Sequence, residues 1–457
     1  MQQLRIAVCY LSYSMQNATN TKKDAVCVVG LGYVGLTLAV VFAEEGFPVI
    51  GVDANEGLIK ELRKGNPHFH EPGLAERMKE LGAKISYVTA IPKTDARTNY
   101  VIAVGTNMDD AHRPDYRHVT SASIAIASHL KKGDLVVLRS TVTLGATREI
   151  ALPLLEKGSG FVAGVDFHLA FAPERTIEGK ALHELRTLPQ VVGGYTDACA
   201  EAAKELFLHI TKDVVVAGTL EEAEMVKLMS NAYRDLSFGF ANNLALVASG
   251  HNIDINRAIH AANHGYERNR IPLPSPGVGG YCLTKDPHLL AHSSRHKDDI
   301  GALFREGRKA NLRMPAHTAD IIEAFFKHAK KKTGRIVVLG LAFKGHPATS
   351  DIRFSPSHDL VKELQARGHT ELFGYDPHVI KDVFEDWKLT PIDSIEEAAK
   401  EGDVLVFMHM NDHYKDFAHK EQSQEEPHLV VDPWGIYDKE QLMEKGWKYA
   451  NLGYRSF

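Results

Sequence analysis

The sequence between residues 25 and 53 carries a pattern that few folds accommodate. A short apolar run, Ala25–Val29, leads into Gly30-Leu31-Gly32-Tyr33-Val34-Gly35, and a helical apolar pattern and a second β-rich run follow. Asp53 ends that second run, 23 positions after Gly30. The glycines permit a tight turn and a close approach of the backbone to a pyrophosphate at the helix N-terminus. Strand, GxGxxG, helix, strand and acid in this order predict a dinucleotide-binding α/β domain.

Asp53 also predicts which dinucleotide binds. A carboxylate at the end of the second strand hydrogen bonds to ribose hydroxyls, and its charge repels the 2′-phosphate of NADP. The alternative is a glycine-rich turn that binds no cofactor. It is the weaker interpretation, because the strand, GxGxxG, helix, strand and acid all occur in the required order. We therefore expect NAD, and the residues predicted to bind it are Gly30, Gly32, Tyr33, Val34, Gly35 and Asp53.

Two further β-rich runs fit the same sheet, at residues 100–104 and 135–138. Ligands of such sheets bind beyond the carboxyl ends of the strands. The residues that follow these runs are therefore expected to face the cofactor, namely Gly105, Thr106, Ser140 and Thr141. Thr141 is equally a candidate helix cap before Val142.

A weaker copy of the pattern follows residue 333. Residues 335–339 run into Gly340, and residues 372–375 run into Asp376, as the second run of the first pattern ends in Asp53. This internal repeat predicts a second α/β domain of similar winding. Its turn is not GxGxxG, so we expect it to bind a nucleotide other than NAD.

The region between the two patterns is predicted to be helical. Thr219 and Glu222 form a capping box, and helical spacing of apolar residues continues to Gly250. Lys227 and Asn231 are four residues apart, so they share a face of that helix. Such a pair can donate hydrogen bonds to one developing oxyanion, or it can lie exposed on a solvated face.

Two stretches carry candidate reactive groups. Residues 277–286 combine three glycines with Cys282, Lys285 and Asp286, and an ammonium near a thiol favours the nucleophilic thiolate. The alternative is an inert buried cysteine beside a turn. Glu174 and Glu178 lie at a strand-to-loop junction, where they can transfer protons or form a solvated charge cluster.

Composition excludes several classes of function. A net charge of −5 gives no reason to expect nucleic acid, and the four cysteines lack metal-ligand spacing, so we expect no metal and a reducing compartment. No apolar run reaches the roughly 18 residues that span a bilayer, so we expect no membrane partner and a cytoplasmic protein. Residues 1–23 are interpreted as a cytoplasmic extension or a misassigned start, with residues 6–11 as a candidate short strand.

The ordered motifs resemble the UDP-glucose/GDP-mannose dehydrogenase family from residue 25 onward. They are GLGYVG (30–35), EPGL (71–74), STV (140–142), APERTIEG (172–179), EMVKLMSNAYRD (224–235), GVGGYCLTKD (277–286), and GLAFKG (340–345) with SDIRFSP (350–356). The resemblance implies oxidation of the C6 alcohol of a nucleotide sugar to a carboxylate, with two NAD and no metal. It also implies two Rossmann-like, doubly wound domains joined by a helical domain with one long helix.

The resemblance assigns roles to residues that match the family's motifs. It implies that Cys282 forms a thiohemiacetal and then a thioester, and that Lys227 and Asn231 stabilise the oxyanion. Asp286 and Glu174 would handle protons and water, while Glu178 and Thr141 would lie beside the reacting centre. Lys285 and Arg353 are expected to contact the cofactor. The expected substrate contacts are Arg268, with Arg270 as its competitor, Gly279, Gly280, Phe343 and Lys344.

Departures from the family pattern affect the choice of sugar. Asp432-Pro433-Trp434-Gly435 lacks an arginine that many UDP-glucose enzymes use, and the sequence before Cys282 is more similar to the UDP-N-acetylhexosamine branch. We therefore expect a UDP-N-acetylhexosamine, with UDP-glucose and then GDP-mannose as alternatives. A protein that binds NAD or a nucleotide sugar without turnover, and a one-step alcohol dehydrogenase, are rival classes, but neither requires the thiol.

The sequence thus predicts four segments. Residues 1–23 form the extension, residues 24–215 an NAD-binding domain, residues 216–325 a helical dimerisation domain and residues 326–457 a UDP-sugar-binding domain. We expect at least a homodimer, formed through the long helix.

Overall fold

A computed structural model describes residues 23–109, 111–268, 270–295, 298–414 and 428–457. The short strand expected at residues 6–11, and nearly all of the expected extension, lie outside the described residues. Among the described helices, none is long and apolar enough to cross a membrane. The expected cytoplasmic location stays a prediction.

The first pattern folds into an eight-stranded sheet. The strand order is β10-β9-β8-β7-β4-β1-β2-β3, and the neighbours pair in parallel except for β8 with β9. A two-stranded antiparallel hairpin, β5 with β6, follows β4. The strands are β1 (Ala25–Val29), β2 (Val49–Val52), β3 (Ile85–Val88), β4 (Thr98–Ile102), β5 (Asn107–Met108), β6 (Pro114–Asp115), β7 (Leu135–Leu138), β8 (His168–Phe171), β9 (Gln190–Gly194) and β10 (Val214–Thr219).

Helices cover both faces of this sheet, which is why its central strands are apolar on both sides. Buried clusters around Val28 on one face and Tyr100 on the other form the core. The helices are α1 (Tyr33–Glu44), α2 (Glu56–Arg63), α3 (Leu74–Leu81), α4 (Arg117–Ala127), α5 (Leu152–Ser159), α6 (Ala181–Thr187) and α7 (Asp197–Leu208), with a π-helix at Thr147–Ala151.

Five helices follow the first sheet. The longest is α8 (Leu220–Ser249), and the capping box of Thr219 with Glu222 begins it as predicted. The helix α8 packs against α10 and α11. The others are α9 (Ile255–Asn263), α10 (Tyr281–His292), α11 (Asp298–Leu312) and α12 (Met314–His328).

The second pattern folds into a six-stranded parallel sheet with the order β13-β12-β11-β14-β15-β16. Numbered from its own first strand, this is the order 3-2-1-4-5-6 of a dinucleotide-binding fold. Its strands are β11 (Ile336–Leu339), β12 (Leu372–Tyr375), β13 (Thr390–Pro391), β14 (Val404–Phe407), β15 (His428–Val431) and β16 (Trp447–Ala450). Its helices are α13 (Pro356–Ala366), α14 (Asp382–Asp386), α15 (Ile395–Glu401) and α16 (Lys439–Glu444).

The internal repeat extends to single atoms. Gly30 and Gly340 have the same left-handed φ of 96°. Asp53 accepts a hydrogen bond from the N–H of Leu31 at 3.0 Å, and Asp376 accepts the corresponding bond from Leu341 at 2.8 Å. In both sheets, therefore, an acid at the end of the second strand holds the turn after the first.

The predicted architecture of two doubly wound α/β parts with a helical middle is confirmed. The predicted segment boundaries stay predictions; β10 ends at Thr219 and α8 begins at Leu220. The alternative of Thr141 as a helix cap is wrong, because the next helical segment begins only at Thr147.

Candidate active site

The glycine turn after β1 opens into a cavity of about 800 Å³. Gly30, Gly32 and Asp53 line it together with the ends of β2 and β4. A Cβ at Gly35 would lie 1.8 Å from the carbonyl oxygen of Gly30, so only glycine permits this tight turn. A Cβ at Gly32 would meet nothing within 4 Å, so this side of the turn is open to a ligand. The carboxylate of Asp53 lines the same cavity and accepts a hydrogen bond from the N–H of Leu31 in the turn, which suits it to bind ribose hydroxyls.

A second cavity of about 350 Å³ continues from the first. Gly32 and residues 103–105, together with Asn107, line both cavities. Many of the predicted site residues meet in this second cavity, which we call the cleft. They are Tyr33, Val34, Gly105, Thr106, Ser140, Thr141, Glu174, Glu178, Lys227, Cys282, Lys285 and Arg353.

Cys282 is the second residue of α10 and is exposed to the cleft. Its sulfur is nevertheless surrounded by protein on the other sides, and burial raises the pKa of the Cys282 thiol. The charge of Lys227 offsets part of that rise, and Asp286 adds to it. The nearby ammonium groups of Lys227 and Lys285 favour the thiolate, as predicted, but desolvation outweighs this attraction and the pKa of the Cys282 thiol is raised overall.

Lys227 and Asn231 lie on one buried face of α8, so the alternative of an exposed pair is wrong. The amide of Asn231 donates to Asp286 at 2.6 Å, and Lys285 donates to the other oxygen of Asp286 at 2.6 Å. Asp286 is fully buried and is neutralised by Lys285. The ammonium of Lys227 faces the cleft, and its charge acts on both Cys282 and Glu174.

Glu174 is held by a buried arginine that the sequence analysis missed. The guanidinium of Arg139 donates to Glu174 at 2.6 Å, and the backbone N–H groups of Arg175 and Thr176 donate to its other oxygen. Burial opposes ionisation of Glu174, but the charges of Arg139 and Lys227 and the backbone donor of Thr176 lower the pKa of Glu174. Arg139 directly follows β7 at the carboxyl edge of the sheet, and this position in the sequence could have marked it as a site residue.

Glu178 connects the first sheet with the second. Burial and the nearby Asp351 raise the pKa of Glu178 to about 7, although Arg353 and Lys344 oppose that rise. Lys344 donates to the backbone oxygen of Glu178 at 2.7 Å, and burial lowers the pKa of Lys344 to about 8. Arg353 lies 3.6 Å from the carboxylate of Glu178 and is paired with Asp351 at 2.7 Å.

Glu71, from the EPGL motif, holds the loop that carries Glu174 and Glu178. It accepts hydrogen bonds from the N–H groups of Gly179 and Ala181, both at 2.7 Å. The hydroxyl of Tyr33 contacts the same carboxylate and accepts a bond from Gly179 at 2.8 Å. The GxGxxG turn is thereby coupled to the acidic loop, a role for Glu71 that was not foreseen.

A second buried arginine, Arg308, holds the glycine-rich stretch before Cys282. It donates to the carbonyl oxygen of Val278 at 2.6 Å and pairs with Asp235 at 2.6 Å. Asp235 lies in the recognised motif of α8, but no sequence signal marked Arg308. The pair fixes the distance between α8, α11 and the stretch that presents the thiol.

The expected substrate contacts fall into two groups. Gly279 and Gly280 approach the second sheet closely, since a Cβ at Gly280 would lie 2.7 Å from the ring of Phe343. Lys344 follows Phe343 and reaches the acidic loop. Arg268 and Arg270 are exposed, and Arg268 contacts the ring of Tyr266 instead of the cleft residues. The phosphate-binding role of Arg268 stays a prediction.

Among the described residues, no group of three or more His, Cys, Asp or Glu side chains has the geometry of a metal site. The turn, the open side of Gly32 and the carboxylate of Asp53 fit a dinucleotide, and the cavity that would hold it shares lining residues with the cleft that Cys282 lines.

Comparison with known proteins agrees with this geometry. Three models of the UDP-glucose/GDP-mannose dehydrogenase family match in order: the NAD binding domain over residues 24–211, the central domain over 221–313 and the UDP binding domain over 337–439. The first match identifies NAD as the cofactor, as Asp53 predicted.

Individual relatives cover most of the chain. A UDP-N-acetyl-D-mannosamine dehydrogenase of Pyrococcus horikoshii is 37% identical over 78% of this chain and 84% of that protein. A UDP-N-acetyl-D-glucosamine 6-dehydrogenase of Pseudomonas aeruginosa is 33% identical over 84% of this chain and 90% of that protein. The solved structure of a UDP-D-ManNAc dehydrogenase from Pyrococcus horikoshii aligns with a TM-score of 0.82 at 31% identity, covering 94% of this chain and 99% of that one.

Proposed function

The chain belongs to the UDP-glucose/GDP-mannose dehydrogenase family, and we propose that it oxidises the C6 hydroxyl of a UDP-N-acetylhexosamine to a carboxylate in two steps. One arrangement carries this proposal. The thiol of Cys282, the ammonium of Lys227 and the carboxylate of Glu174 line one cleft, and that cleft continues into the NAD-binding cavity.

The side chains divide the chemistry between them. Bound NAD would supply the hydride acceptor for each of the two oxidations. Between them, the thiol of Cys282 loses its proton and its sulfur adds to the C6 aldehyde; the aldehyde oxygen gains a proton, and the new C–S bond retains the sugar as a thiohemiacetal. The second oxidation leaves a thioester. Water then attacks its carbonyl carbon, the C–S bond breaks, and the sulfur regains its proton as the carboxylate forms.

Lys227 is placed to stabilise the oxyanion of these steps. Among the cations of the cleft, its ammonium does most to lower the pKa of the Cys282 thiol, and among the described residues it forms no ion pair that would hold it elsewhere. Asn231 is engaged by Asp286, so in this geometry it orients that carboxylate and Lys285. Glu174, kept ionised by Arg139, is the candidate to accept a proton from the attacking water. Thr141 lines the same cleft.

Binding of the nucleotide sugar is assigned to the second sheet and the glycine-rich stretch. The close contact of Gly280 with Phe343 leaves the backbone of residues 279–280 next to Lys344 and its loop. A lysine beside this backbone suits a diphosphate. Arg268 lies exposed on a loop after α9, which suits a contact made in a second copy of the chain.

The sugar is proposed from likeness. The sequence before Cys282 resembles the N-acetylhexosamine branch, and the relatives reported above carry UDP-N-acetylmannosamine or UDP-N-acetylglucosamine in their names. UDP-N-acetylmannosamine is therefore the first compound to test, with UDP-glucose and GDP-mannose as the alternatives.

The experiment is NADH release across a panel of UDP- and GDP-sugars. The proposal predicts two NADH for each sugar consumed, with the highest kcat/KM for a UDP-N-acetylhexosamine. One NADH per sugar would indicate a one-step alcohol dehydrogenase. Binding of NAD and UDP-sugar without NADH formation would instead indicate a non-catalytic binding protein.

A homodimer through α8 is part of the proposal. Four apolar side chains at helical spacing are exposed on one stripe of α8: Met229 at 49%, Tyr233 at 72%, Phe240 at 53% and Val247 at 63%. A stripe of this kind is typical of an interface. Light scattering of the wild type and of Tyr233→Lys tests it: the wild type should have the mass of a dimer or a multiple of it, and the variant a lower mass.

A further inference from the structure

Tyr281, the neighbour of the reactive cysteine, touches all three parts of the chain. Its hydroxyl donates a shared hydrogen bond to the carbonyl oxygen of Thr106 and to Oδ1 of Asn107, each at 2.9 Å. Its ring lies 5.2 Å from Nζ of Lys285 and 5.1 Å from Cζ of Arg353. These partners lie in the segment after β4, in α10 and in the loop between β11 and α13, respectively.

The residues that Tyr281 holds form a wall of the NAD site. Residues 103–107, which we call the cofactor loop, run along the cleft, and residues 103–105 and Asn107 also line the larger NAD cavity. Tyr281 also lines a third cavity of about 990 Å³, together with Asn107 and Lys285. Tyr281 thus lines both the cleft and this third cavity.

The proposed function requires cofactor exchange between the two oxidations, and the contact of Tyr281 with the cofactor loop can control its rate. Two oxidations at one thiol require reduced cofactor to leave and a fresh one to enter while the sugar stays bonded to Cys282. In many enzymes product release is limited by the movement of segments that line the site, so the cofactor loop is a candidate to control the release of NADH. The hydroxyl of Tyr281 contacts the cofactor loop through one shared hydrogen bond, which can break without moving a strand of the eight-stranded sheet.

We propose that Tyr281 is a positioning residue that fixes the cofactor loop against the thiol-bearing helix and slows the release of NADH. The two cations beside its ring hold the ring in place from the helix and from the second sheet. The hydroxyl remains a donor because burial raises the pKa of Tyr281. The inference rests on the proposed function, but NADH release does not require the sugar.

The test is the rate of NADH dissociation from Tyr281→Phe, measured by stopped-flow fluorescence without any sugar. The variant keeps the ring and its cationic neighbours and loses only the hydroxyl. Loss of one hydrogen bond predicts release about fivefold faster than from the wild type. The affinity for UDP, measured by calorimetry, should stay within twofold, because the hydroxyl faces the cofactor loop.

Two further variants complete the design. Tyr87→Phe is the matched control, since it removes a buried hydroxyl that has no hydrogen-bond partner among the described residues and lies outside both cavities. Asn107→Ala removes one of the two acceptors and should also accelerate release. In the double variant, Asn107→Ala should accelerate NADH release by a smaller factor than it does in the wild type, because both changes break the same hydrogen bond.

A second measurement reports on the thiol directly. Alkylation of Cys282 by iodoacetamide, with and without NADH, should show weaker protection by NADH in Tyr281→Phe than in the wild type. NADH release from Tyr281→Phe at the rate of Tyr87→Phe would overturn the proposal. The proposal would also be overturned if Tyr281→Phe lowered the NADH affinity, the UDP affinity and the melting temperature together, because that result would indicate a general structural role. Absence of turnover with every sugar would refute the proposed function and leave this result standing.

Discussion

The guanidinium of Arg139 and the carboxylate of Glu174 form a buried ion pair at 2.6 Å, with side chains 0% and 7% exposed. The pair connects the carboxyl end of β7 to the loop that carries the acidic residues of the cleft. Arg139 also donates to Gln190 and to the backbone of Ala172, so it holds three segments of the first sheet.

Replacing Arg139 tests how much this pair contributes. Arg139→Met should lower the free energy of unfolding by about 3–5 kcal/mol, because it leaves Glu174 buried without its counter-charge. The midpoint of urea unfolding measures the change. Arg113→Met is the matched control, since its pair with Asp109 is exposed and should contribute less than about 1 kcal/mol. Equal losses in the free energy of unfolding for the two variants would contradict a stabilising role of the buried pair of Arg139 with Glu174.

Glu71 is predicted to act on turnover through the loop that it holds. Glu71→Gln replaces one acceptor oxygen by an N–H donor facing Gly179 or Ala181, which should cost about 1–3 kcal/mol and loosen the positions of Glu174 and Glu178. A lower kcat at saturating NAD and sugar is expected. Glu76→Gln, an exposed change on the neighbouring helix α3, should leave kcat unaltered. The same kcat in both variants would show that the loop is fixed by other contacts.

The sequence predicted the fold better than it predicted the contacts within the site. Strand β1, the GxGxxG turn and Asp53 follow from local rules, because a short spacing of glycines and an acid specifies the turn. The pairs of Arg139 with Glu174 and of Asn231 with Asp286 join residues 35 and 55 positions apart. Such contacts depend on how helices and strands pack, so periodicity does not reveal them. The rise that burial causes in the pKa of Cys282 could not be foreseen for the same reason, since burial is a tertiary property.

Glu178 should make stability depend on pH. Its folded pKa of about 7 lies above the ordinary value of 4.5, so the folded state binds the proton more tightly. Its contribution to stability is then fully present below pH 4.5 and is lost as the pH rises to 7, by at most about 3 kcal/mol. Glu178→Gln should remove this loss. The free energy of unfolding of the variant, measured in urea, should therefore rise relative to that of the wild type between pH 5 and 7.5. Glu444→Gln, at an exposed site, should show no such trend.

Lys227 should affect catalysis more than binding. Lys227→Met removes the cation next to Cys282, and loss of one oxyanion donor typically lowers kcat by about 100- to 1,000-fold. The KM for the sugar should change only a few-fold, because the interaction develops in the transition state. Lys212→Met, an exposed lysine before β10, is the control. A variant with normal kcat and a raised KM would move Lys227 from the reaction to substrate binding.

The central claim is that one sulfur retains the sugar between two oxidations. The most direct measurement is the mass of the protein and the number of NADH formed when Cys282→Ser and the wild type react with a UDP-N-acetylhexosamine and NAD. We expect the wild type to form two NADH and free uronate, and Cys282→Ser to stop after the first oxidation, with free aldehyde or a covalent sugar adduct. Full conversion to the uronate by Cys282→Ser, with two NADH for each sugar, would contradict the account.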